Sequence, residues 1–95
     1  MAALTYHIKK QEGFNEKFRE AVPEQEIAED ILSALYLALR HYPEKGKSTG
    51  RAVPVPVFAW RIQGTERNKP LIIYYCFRYP NVVLISVRVT EPEEL

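Results

Sequence analysis

The sequence predicts an α+β domain of order β-α-α-β-β-β, an antiparallel sheet packed on two helices. Three observations lead there. Residues 14–42 carry apolar side chains at helical spacing, whereas residues 57–89 hold three short runs rich in valine, isoleucine and tyrosine. Turn-forming residues separate those runs, and no internal repeat or linker divides the chain. At 95 residues, 46% hydrophobic and 12% aromatic, there is material for one compact core and too much apolar content for a disordered chain. A single domain over residues 1–95 is expected, with residues 91–95 as a flexible acidic tail.

The elements follow in order. Leu4 to Lys9 alternates weakly ahead of Gly13 and is read as a first strand. Phe14 and Phe18 stand four apart among Glu16, Lys17, Arg19 and Glu20, the pattern of a short amphipathic helix closed by Val22-Pro23. From Pro23 to Tyr42, Ile27, Ile31, Leu35, Ala38, Leu39 and Tyr42 form one helical stripe. Acidic residues crowd its start and Arg40 and His41 its end, as the helix dipole favours. Lys45 to Pro56 reads as a loop, because Gly46, Gly50, Pro54 and Pro56 resist regular structure. Val57–Ile62, Leu71–Tyr79 and Val82–Val89 are the remaining strands.

Alternation assigns the strand side chains to two faces. Phe58, Trp60 and Ile62, then Leu71, Ile73, Tyr75 and Phe77, then Val83, Ile85, Val87 and Val89 are the phases expected against the helices. The other face then carries Arg61, Tyr74, Arg78, Ser86 and Arg88. A two-residue turn at Pro80-Asn81 would place Arg78 with Val83. A three-residue turn, Tyr79-Pro80-Asn81, pairs Arg78 with Val82 and gathers the basic side chains, so the longer turn is expected.

The net charge of +1 conceals an uneven distribution. Residues 1–30 sum to −3, residues 31–90 to +7 and the last five to −3. A +7 block is one footprint of a nucleic-acid surface, although basic residues also serve as plain solvated faces. The longest apolar run, Leu71 to Phe77, is far short of the roughly 18 residues of a membrane span. No secretory signal is read at the N-terminus, and Cys76 has no second cysteine to pair with. A cytoplasmic protein without membrane association is therefore expected. His7 and His41 fall in different elements without the spacing of a metal site, and no phosphate loop, dinucleotide motif or nucleophile elbow occurs, so neither metal nor cofactor is expected. Cys76 reads as a buried structural thiol.

Ala59-Trp60-Arg61-Ile62, Leu71-Ile72-Ile73-Tyr74 and Val82-Val83-Leu84-Ile85-Ser86-Val87, with the element order and chain size, resemble the RelE/ParE toxin superfamily of toxin–antitoxin systems over nearly the whole chain. The resemblance implies a metal-independent, ribosome-dependent mRNA endonuclease, in which basic side chains hold the scissile phosphate while the 2′-hydroxyl attacks it. Arg61, Lys69 and Arg78 are the candidate catalytic residues, and Arg51, Arg61, Tyr74, Arg78 and Arg88 the candidate RNA contacts. The partners implied are an antitoxin protein and mRNA on the ribosome.

Two other readings stand beside it. Thr90 and Glu91 follow Val89 where the family often has an arginine and then a tyrosine or histidine. That opens a non-catalytic domain of the same fold, binding RNA or a protein partner such as an antitoxin or a ParE-like target. An unrelated small α+β domain is the third reading. Exposed strand edges also permit a homodimer.

Overall fold

The computed structural model describes residues 4–50 and 55–90. Candidate contact Arg51 and the acidic residues 91–95 lie outside the described residues. The architecture is α+β, with two helices packed on one face of a five-stranded mixed sheet.

The chain begins with β1 (His7–Lys10). It starts later than Leu4 because the Tyr6 N–H bonds the Arg40 carbonyl (2.9 Å) rather than a neighbouring strand. Gly13, at φ +87°, turns the chain into α1 (Phe14–Ala21). Phe14 and Phe18 are both buried, and the Val22 N–H closes the helix on the Phe18 carbonyl (2.8 Å).

The second helix, α2, spans Gln25–His41. It begins two residues after Pro23 because Glu24 is extended and serves as the N-cap, its carbonyl accepting from the Ala28 N–H. Ile27, Ala28, Leu35 and Leu39 form the buried stripe, as the helical spacing requires. Leu37, on the opposite side, is exposed.

A single 3-10 turn, Pro43–Lys45, leads into β2 (Lys47–Ser48), a two-residue edge strand inside the segment expected to be loop. Lys47 pairs with Ala59 and Ser48 with Phe58. Then β3 (Phe58–Ile62), β4 (Leu71–Arg78) and β5 (Asn81–Val89) form an antiparallel meander. The spatial order is β1-β5-β4-β3-β2. β1 runs parallel to β5, so the sheet is mixed where an antiparallel one was expected.

The β4–β5 register departs from both turns considered in the sequence. Arg78 pairs with Asn81, leaving Tyr79-Pro80 as the two-residue connection. Phe77 then pairs with Val82 and Tyr75 with Leu84, but Tyr74 pairs with Ser86. Ile85 is the extra residue of a bulge, and it reverses the phase of β5. The helix-facing row is therefore Val82, Leu84, Val87 and Val89, not Val83, Ile85, Val87 and Val89. Val83 falls on the open face beside Cys76.

The core joins Phe14, Phe18, Leu35 and Leu39 of the helices to Leu71, Ile73, Tyr75, Val82 and Leu84 of the sheet. Tyr75 is fully buried, and its hydroxyl donates to the Pro43 carbonyl (2.5 Å). Gly46 is required beside it: a Cβ there would lie 1.9 Å from the Tyr75 hydroxyl oxygen. Burial pushes the Tyr75 hydroxyl from its ordinary 10 up to about 12, partly opposed by a hydrogen bond to the Gly46 backbone and assisted by the Glu44 carboxylate.

Two outcomes test this packing. Leu35, 2% exposed, should cost about 2–5 kcal/mol of unfolding free energy as Leu35→Ala in a denaturant titration. A loss under roughly 1 kcal/mol would place Leu35 outside the core. The raised Tyr75 pKa gives a contribution that is complete below pH 10 and lost as pH rises toward about 12, since the unfolded chain releases that proton first. Stability of the native chain should fall more steeply over that window than stability of Tyr75→Phe.

Candidate functional site: the open sheet face

The face of the sheet away from the helices is built by alternation from all five strands. Its register rows are explicit. Arg61, Ile72 and Arg88 form one row across β3, β4 and β5. Lys47, Ala59, Tyr74 and Ser86 form the next. Cys76, Val83 and Lys9 form a third, and Arg78, Asn81 and His7 a fourth. Among the described residues, five cationic side chains thus share one surface and no strand residue is acidic.

Arg61 and Arg88 flank Ile72 two strand spacings apart, about 10 Å between backbones. Ile72 is only 6% exposed although it points away from the helices. Its register neighbours on the two flanking strands are these arginines. Arg88 donates through Nε to the Tyr74 hydroxyl (3.3 Å), which ties the middle of β4 to this arginine pair. Arg61 is exposed and Tyr74 half-buried.

The sequence-derived set is only partly brought together. Arg61, Tyr74, Arg78, Ser86 and Arg88 do share the open face, by way of the Ile85 bulge rather than the three-residue turn. Arg78 stands at the opposite end of that face from Arg61, six residues along β4 and hence about 20 Å away. Lys69 belongs to another surface, a groove between the α1–α2 corner and the β3–β4 loop where Glu20, Glu24 and Arg67 also lie. Arg67 and Glu24 form an exposed ion pair there (2.8 Å). The three candidate catalytic residues therefore do not converge on one reacting atom.

No family model matches the chain, and no curated protein or solved structure matches it. The surface must be read on its own chemistry.

Lys9 and Lys47 were not singled out from the sequence. Lys9 gains its place only through the parallel β1–β5 pairing, and Lys47 through a two-residue strand too short to show alternation. Among the described residues no group of three His, Cys, Asp or Glu side chains could hold a metal ion, and no helix is long and apolar enough to cross a membrane. His7 lies on the open face, whereas His41 ends α2 beside Tyr42. Cys76 is half-buried on the open face rather than fully enclosed, and burial raises its thiol pKa, with a backbone hydrogen bond opposing. Near neutral pH, a mild thiol reagent should modify Cys76 much more slowly than free cysteine. Labelling as fast as the free amino acid would show a thiol open to solvent.

Proposed function

We propose that this domain binds RNA through its open sheet face, without cleaving it. The observation that carries the reading is the grouping of Lys9, Lys47, Arg61, Arg78 and Arg88 on one surface, with no acidic residue among the described strand residues. Cations grouped on one face attract a polyanion and fix its backbone by charge-assisted contacts. The resemblance to RelE/ParE toxins agrees with RNA as that polyanion.

Binding is favoured over cleavage by the separation of the candidate catalytic groups. Phosphodiester scission needs cations and a proton-transfer group around one phosphate. Arg61 and Arg78 are about 20 Å apart along the sheet, and Lys69 lines the groove beside Glu20 and Glu24.

The test is equilibrium binding of a single-stranded RNA at several salt concentrations. Replacing Arg61 and Arg88 together by alanine should weaken binding and reduce the log–log salt slope by about 1.4, two contacts at about 0.7 each. The recovered RNA should be intact. An unchanged slope removes this face from the binding site. Induced expression in a bacterial host should leave translation running, whereas rapid arrest relieved by Arg61→Ala would establish the nuclease instead.

A further inference from the structure

The cations on the open face form a frame around an uncharged centre. Arg61 and Arg88 close one end, and Arg78 closes the other. Lys47 and Lys9 stand on the two edge strands. Between them lie Ala59, Tyr74, Ser86, Cys76 and Val83, none charged and only Tyr74 aromatic. A duplex offers its phosphates to such a frame but no base to its centre, because its bases are stacked on one another. A single strand offers both: phosphates for the rim and an unstacked base for the aromatic ring.

Building on the RNA-binding reading, we infer that the occupant is single-stranded RNA that crosses the face along β4. One base stacks on Tyr74, and the flanking phosphates divide between the Arg61–Arg88 end and the Arg78 end. The Arg88–Tyr74 hydrogen bond engages the hydroxyl edge of the ring and uses neither of its faces, so it orients the platform without occupying it. The two ends are about 20 Å apart, so only a strand of several nucleotides reaches both. Tyr74 is the specificity-determining residue for single strands, and Arg78 acts as a length gauge.

The experiment measures affinities of a trinucleotide, a dodecanucleotide and a duplex of the same dodecanucleotide for the full chain and three variants. Tyr74→Leu should weaken the dodecanucleotide about 5- to 100-fold, whereas Tyr74→Phe, which keeps the ring and loses the hydroxyl, should stay within about threefold. Arg78→Ala, at an exposed position beside the hairpin turn, should weaken the dodecanucleotide and leave the trinucleotide unchanged. The duplex should bind more weakly than the single strand. Equal losses for Tyr74→Leu and Tyr74→Phe, an Arg78→Ala effect independent of length, or a duplex bound as tightly as the single strand would each overturn this inference while RNA binding itself stood. Failure of every oligonucleotide to bind would overturn both.

Discussion

One extra residue in β5 decides which chemistry the sheet presents. Two antiparallel strands joined at Tyr79-Pro80 would, in unbroken register, turn Ser86 and Arg88 toward the helices and expose Val87 and Val89. Ile85 absorbs one position and reverses the phase halfway along the strand. Val82 and Leu84 reach the core from the first half, Val87 packs against it from the second with the exposed Val89 in the same phase, and Arg88 comes out beside Ile72. The hydrophobic demand of the core and the basic character of the outer surface are reconciled at that single bulge.

The opposite side of the sheet is held in place by Tyr75. Its ring is enclosed between Phe58 and Phe77, and its hydroxyl reaches the carbonyl of Pro43 just beyond α2. Gly46 lets the chain pass directly over that hydroxyl before entering β2. The edge strand that carries Lys47 is therefore located by a buried polar contact at Pro43, four residues upstream, and by the close approach at Gly46. Backbone strain plays no part there, since Gly46 has φ −67° and what the position requires is space.

The helices were legible because their signals are local. Phe14 with Phe18, and Ile27 with Leu35 and Leu39, report a 3.6-residue period within a few turns. The strand segments were legible for the same reason, and so was the grouping of Arg61, Tyr74, Arg78 and Arg88. What local pattern could not give was pairing between distant segments. The two-residue turn and the bulge compensate for each other, so alternation alone led to the right face for Arg88 through a different register. Lys9 and Lys47 were hidden because their positions depend on neighbours far away in the chain. Lys69 came from the resemblance alone, as a position near the start of β4, and no periodicity could say which surface it joins; it lies in the loop beside the buried Pro70 and lines the groove.

The parallel pairing of β1 with β5 has a consequence for synthesis. His7–Lys10 leave the ribosome among the first residues of the domain, yet their partners, Asn81–Leu84, are among the last. α1, α2 and the β3–β4 hairpin can form as the chain emerges, but one edge of the sheet closes only when nearly the whole domain is available. Such a contact carries one of the largest loop-closure costs in the fold and belongs to a late stage of assembly. Until then Lys9 is detached from the surface it completes, and a nascent chain carries only part of its cationic frame.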